Sequence, residues 1–215
     1  MICAYDKIYL EKARVSLGRM FDFAVYDLNY NITDFFNMFI SSGVAKRFES
    51  GDSSILTGKS GVELAYAVLD YSNENADIKT QPKYTSNRSP EYWAGWALAY
   101  YQWYTSLSFS EIIKYIPVKN IVAMYPKYHE MDIRQFVDEM NRLYYSMKKN
   151  TNLKEKRLQV GLSQSQLSEL SSVPLRTIQQ YEQRQKNINS AKLETVVALS
   201  KVLSCQPTDL MELSE

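Results

Sequence analysis

The sequence predicts an all-α protein built in two parts. Apolar residues recur at helical spacing along most of the 215-residue chain, with serine caps at several starts and only weak strand signals. The aromatic residues then stop abruptly. Every Trp and Phe lies before residue 137, and of the 17 tyrosines only Tyr181 lies after 145. The polar stretch Met147-Lys148-Lys149-Asn150-Thr151-Asn152 marks the change, which gives an N-terminal domain at 1–149 and a C-terminal one at 150–215.

In the first part, residues 6–28 place Ile8, Leu10, Val15, Leu17, Phe21 and Val25 at roughly helical intervals. A second helix is expected over Ile32–Ser41. Ser60-Gly61-Val62-Glu63 is a capping-box pattern opening an apolar run to Leu69. Residues 72–90 read as a loop. Ser89-Pro90-Glu91 is a strong helix start: a capping Ser, Pro at the first position, an acid in the first turn. The helix it opens carries Trp93, Trp96, Tyr100, Trp103 and Tyr104 and is apolar nearly all round, as expected at the centre of a core. Ser108-Phe109-Ser110-Glu111 starts another helix, which Pro117 ends. A last one covers Asp132–Lys149.

Composition bounds the function. Hydrophobic residues make up 45% of the chain, ample for a core, and the net charge is only +1. Binding to nucleic acid must therefore come from a local patch. Cys3 and Cys205 stand far apart and in no metal-like spacing, which fits a reducing cytosol. No basic region followed by an apolar run opens the chain, so a cytoplasmic location is expected. The charge-free stretch Tyr92–Ser110 contains Gln102 and Thr105 and reads as a buried helix rather than a membrane span.

The second part shows five helix-like segments, near 152–160, 163–170, 174–184, 190–203 and 207–213. Asn152-Leu153-Lys154-Glu155 and Ser163-Gln164-Ser165-Gln166 are both capping patterns. Leu158, Leu162, Leu167, Leu170, Val173, Ile178, Tyr181, Leu193, Val196, Leu199 and Val202 are the expected core of a domain of about 60 residues. The second and third segments read as two short helices joined by a tight turn. The polar face of the third carries Arg176, Thr177 and Gln180, side chains able to reach DNA base edges. Between 152 and 190, six basic residues (Lys154, Lys156, Arg157, Arg176, Arg184, Lys186) face three acidic ones (Glu155, Glu169, Glu182), a local charge of +3.

From Leu153 to Leu210 the chain resembles the Cro- and Xre-type helix-turn-helix repressors of phages and bacteria. The resemblance rests on Arg157-Leu158-Gln159-Val160-Gly161-Leu162-Ser163-Gln164, on Leu167, and on Thr177-Ile178-Gln179-Gln180-Tyr181-Glu182. It continues through Asn187-Ile188-Asn189 into the apolar segment at 193–203. It implies a five-helix, lambda-repressor-like domain whose third helix lies in the major groove of double-stranded DNA. Leu175, Arg176 and Gln180 would then face bases, with Thr177 close to a phosphate or base. Gln164, Arg184 and Lys186 would contact the backbone. The family often pairs an Arg at the position of Arg157 with a Glu at that of Glu182. Two positions depart from its pattern. Ser171-Ser172 stand where the turn usually holds Gly, and Arg184 stands near the usual Gly or Asn at the end of the recognition helix.

Four other features carry less. Gly58-Lys59-Ser60 looks like the end of a phosphate-binding loop. The full pattern needs Gly at position 53, which is Ser53, and Gly51 is two residues too early; a polar loop capping a helix fits better. His129, the only histidine, has no Cys or acidic cluster at metal spacing near it. Asp138-Glu139 reads as a solvated helix face. The aromatic helix suits core packing first and a ligand pocket or partner groove second.

These readings together predict a cytoplasmic, sequence-specific DNA-binding transcriptional regulator, a repressor acting as a homodimer, with no enzymatic activity, metal or cofactor. The N-terminal domain would supply dimerisation, a partner site, or a sensor for a small ligand. The alternative is an antitoxin whose N-terminal domain neutralises a toxin while the C-terminal domain represses its own operon.

Overall fold

Several helices start on a short polar side chain, Asn31, Asp52, Ser60, Ser89, Ser108, Thr151 or Ser163, that accepts a hydrogen bond from the first turn. The computed structural model describes residues 3–72, 80–82 and 88–213. The described residues are helical, with no strand among them. The chain divides into two units, Met1–Met147 and Lys148–Glu215. The loop expected over 72–90 lies mostly outside the described residues.

The N-terminal unit contains ten helices among its described residues: α1 (Leu10–Tyr26), α2 (Ile32–Ser41), α3 (Val44–Glu49), α4 (Ser53–Leu56), α5 (Gly61–Tyr71), α6 (Pro90–Thr105), α7 (Phe109–Tyr115), α8 (Val118–Ala123), α9 (Tyr125–Tyr128) and α10 (Ile133–Met147). Ser60 caps α5 in a full capping box with Glu63. Gly58-Lys59-Ser60 is thus the lead-in to a helix. Ser89 accepts from the Tyr92 amide, and Pro90 is the first residue of α6. Ser108 caps α7 in the same way. The short helices α3, α4, α8 and α9 carry no sequence pattern long enough to announce them.

The core is built around α1 and α6, which pack against each other. Gly18 and Gly95 make this contact close. A Cβ on Gly95 would come within 2.6 Å of the Leu17 carbonyl oxygen, and one on Gly18 within 2.8 Å of that of Tyr92. Gly61, at the first turn of α5, meets α1 just as closely at the Ser16 carbonyl. Ala94, Ala97, Leu98 and Tyr101 of α6 are fully buried, so the charge-free stretch is the inside of a helical core. Phe36, Phe39, Phe48 and Phe109 surround one another with ring centroids 5.4–6.3 Å apart, at the tilted and edge-on angles that aromatic quadrupoles favour. No helix among the described residues is long and apolar enough to cross a membrane.

Two expected positions on the first helix face outward. Ile8 is 78% exposed and Val15 44%. Ile8 lies in a 3-10 turn, Lys7–Tyr9, capped by Asp6, so it precedes the helical face instead of extending it.

Candidate nucleic-acid interface

The C-terminal unit holds α11 (Asn152–Gln159), α12 (Gln164–Ser171), α13 (Leu175–Glu182) and α14 (Leu193–Val202). The 3-10 turns Ile188–Ser190 and Pro207–Leu210 complete it. The fifth helix-like segment is thus a single 3-10 turn. The cap of α11 is Thr151, which accepts from the Lys154 amide. Asn152 serves elsewhere: its side-chain amide donates to the Met211 carbonyl, tying α11 to the end of the chain. Ser163 and Gln166 form the expected capping box of α12.

The core comprises Leu153, Leu167, Val173, Ile178, Tyr181, Ile188, Val196, Leu199, Leu203 and Leu210, with Leu162 and Val202 packed against it. Three expected members are exposed instead: Leu158 at 53%, Leu170 at 62% and Leu193 at 73%. Leu158 and Leu170 lie in helices of two turns, where the apolar stripe is only two or three residues long and a shift of one position changes which leucine faces inward; Leu193 is the first residue of α14, whose buried face begins at Val196. The buried places go to Leu153, Ile188, Leu203 and Leu210.

Both turns flanking α13 use left-handed backbone. Ser172 has φ 56°, and Ser171 Oγ donates to the Leu167 carbonyl beside it. Arg184 has φ 57°. Its amide donates to Tyr181, and the Gln185 amide donates to Gln180, closing the helix with a left-handed residue as glycine usually does. These are the two places where the sequence lacks the family's Gly or Asn.

Tyr181 and Ile178 point α13 into the core, and this fixes its outer face. Leu175 and Arg176 are exposed, Thr177 and Gln180 are half-buried, and Ile178, Tyr181 and Glu182 are buried. Arg176 and Gln180, four residues apart, share the outward face.

A buried polar cluster holds α13 against its neighbours. Arg157 of α11 forms a two-pronged pair with Glu182: Nε donates to Oε1 at 2.6 Å and Nη2 to Oε2 at 2.9 Å. Its Nη1 donates to the Leu162 carbonyl at 2.7 Å. Arg157 is 7% exposed and Glu182 8%. Burial pushes the Glu182 carboxyl up, but the bonds from Arg157 and Gln164 outweigh it and hold it below the usual carboxylate range. The bond to Glu182 likewise raises the Arg157 guanidinium.

Gln164 belongs to this cluster. Its Nε2 donates to Glu182 Oε2 at 2.7 Å, which uses one of its two amide protons and leaves the other. Arg184 also has a structural partner set: its guanidinium donates to the carbonyls of Lys148, Lys149 and Asn150 at 3.0–3.4 Å. Lys186 lies on a polar hollow of about 430 Å³, with Lys192 and Ser190 on the same rim. Sequence reading missed Lys192. It stands just beyond the stretch counted for local charge, and only the turn at Ile188–Ser190 brings it beside Lys186.

Four short helices on a leucine-rich core, with an exposed polar helix locked by an Arg–Glu–Gln cluster, define a helix-turn-helix domain. The Helix-turn-helix family model matches residues 153–210. This segment is of the Cro/C1 type, and it marks the chain as a DNA-binding transcriptional regulator. No curated protein and no solved structure matches the chain.

Proposed function

We propose that the chain is a repressor that binds a palindromic operator as a homodimer, reading bases with Leu175, Arg176 and Gln180 of α13. The observation that carries this reading is the exposure pattern of α13. Its apolar side is fixed in the core, and a guanidinium and a carboxamide share the open side. Arg pairs bidentately with guanine, Gln with adenine, and Leu175 suits a thymine methyl. Thr177, on the same helix, would stand close to a phosphate or base. Lys186, with Gln164 and Arg184 at the two ends of the motif, would position the backbone. One such module makes a small interface, so two copies on a two-fold operator supply the affinity that regulation needs. Repression then follows from occupying a promoter.

The test uses an operator selected from a random duplex pool and a scrambled control, titrated across salt. Arg176→Ala should cost about 1–3 kcal/mol on the operator and relax preference at one base pair. Lys186→Ala should weaken both DNAs alike and reduce the salt slope by about one. Equal loss on both DNAs for Arg176→Ala would mean that α13 does not read sequence.

A further inference from the structure

The first turns of α6 and the short helix α9 flank a half-open cavity of about 200 Å³ in the N-terminal unit. Tyr92, Trp93, Trp96 and Tyr125 line it, together with Arg88 and His129. The rings are held from behind. Trp93 meets Tyr125 edge-on with centroids 5.9 Å apart and Phe136 at 5.3 Å. Tyr125 stacks on His129 at 4.2 Å, and His129 Nδ1 lies 2.8 Å from the Tyr125 carbonyl oxygen. The guanidinium of Arg14, a residue only 8% exposed, lies 3.3 Å from the centre of the Trp96 ring. Walls fixed in this way accept a flat ring with little reordering, and reordering is a main cost of binding.

The charge of the lining decides which flat ring. Four aromatic walls alone would also suit a cation. Among the described residues no carboxylate lines this cavity, however, and Arg88 is exposed at it with Cζ 4.8 Å from the centre of the Tyr92 ring. Among the described residues Arg88 makes no ion pair. The nearby acid Glu130 is 86% exposed, lies 3.6 Å from His129 Nε2, and stands outside the lining. A cation entering here would meet Arg88, whereas an anion would be paired by it. The volume lies below the usual range for drug-sized ligands, about 300–1,000 Å³, and suits one or two fused rings.

We propose that this cavity is a binding site for a small aromatic carboxylate, its ring between the Trp and Tyr walls and its carboxylate on Arg88. The site gives the N-terminal unit a ligand of its own, and it stands whether or not α13 reads bases.

The experiment is calorimetric titration of the full-length protein with three probes of one shape and different charge: indole-3-acetate, indole-3-acetamide and tryptamine. Indole-3-acetate should bind at least fivefold tighter than the amide and at least tenfold tighter than tryptamine. Arg88→Gln, a change at an exposed side chain, should bring indole-3-acetate to the level of the amide and leave the amide unchanged. Tyr125→Leu should weaken acetate and amide together. The proposal fails if none of the three probes binds. Tryptamine binding as tightly as the acetate, or Arg88→Gln leaving the acetate unaffected, would equally overturn it.

Discussion

Replacing Glu182 by Gln removes one charge from a site where both partners are buried. Arg157 keeps the Leu162 carbonyl at 2.7 Å but loses the carboxylate that neutralises it, and at 7% exposure water cannot take its place. Removing one partner of a buried pair costs about 3–5 kcal/mol, because the other charge is left uncompensated. A unit spanning Lys148–Glu215 has a total stability on the order of 3–10 kcal/mol. The substitution therefore removes much of what holds this unit folded. At roughly 4–8 °C per kcal/mol for a domain of this size, its Tm should fall by on the order of 15–30 °C. Gln164 loses the same acceptor, so operator affinity should fall as well.

Tryptophan placement makes the assay specific. Trp93, Trp96 and Trp103 all lie in α6, so intrinsic Trp fluorescence follows only the N-terminal unit. Far-UV circular dichroism follows both. Glu182→Gln should lower a circular dichroism transition and leave the fluorescence transition in place. A shift below about 3 °C would show that the pair contributes little, and that burial does not make its loss costly. The double change Arg157→Met with Glu182→Leu tests the cause. Without a stranded charge, more than half of the lost stability should return. A double variant no more stable than Glu182→Gln would refute the uncompensated-charge explanation.

Ser172→Gly should stabilise the C-terminal unit by about 0.5–1 kcal/mol, since relief of left-handed strain exceeds the added freedom of glycine in the unfolded chain; an unchanged or lower circular dichroism midpoint would contradict it. Gly95→Ala gains helix propensity, but its Cβ would meet the Leu17 carbonyl at 2.6 Å. A net loss of about 1–3 kcal/mol is expected in the Trp fluorescence transition. The Glu182 carboxyl is held below its ordinary value of 4.5. Its contribution is complete above that pH and is lost as pH falls through its folded value. Urea midpoints of the C-terminal transition should therefore depend on pH in the acid range, and Glu182→Gln should flatten that dependence. A fragment starting near residue 150 should melt cooperatively on its own, because its core lies entirely between Leu153 and Leu210.

Local chemistry was legible in the sequence, and long-range geometry was not. The caps at Ser60, Ser89, Ser108 and Ser163 could be read because a cap and its partner lie within three residues. The long helices α1 and α10 could be read because their periodic stripes run for several turns, and α6 because a capping Ser and Pro open a long apolar run. The short helices α3, α4, α8 and α9 have too few turns to show a period. For the same reason Leu158 and Leu170 looked like core and are exposed. Gly18, Gly61 and Gly95 reveal nothing locally; each is small because another helix passes within 3 Å of where its side chain would stand.

Arg184 shows both sides of this limit. The absence of the family's Gly or Asn marked this end of α13 as unusual, and the backbone there is left-handed, with φ 57°. Sequence reasoning accordingly located the strain but gave the side chain only a phosphate-facing role. The guanidinium also reaches back some 35 residues to the Lys148, Lys149 and Asn150 carbonyls. A glycine at 184 would relax the backbone and give up all three bonds. At this position the side chain's three bonds offset the unfavourable backbone. Ser172, whose backbone is equally left-handed but whose side chain is exposed, lacks that compensation, and this is why glycine is expected to stabilise position 172.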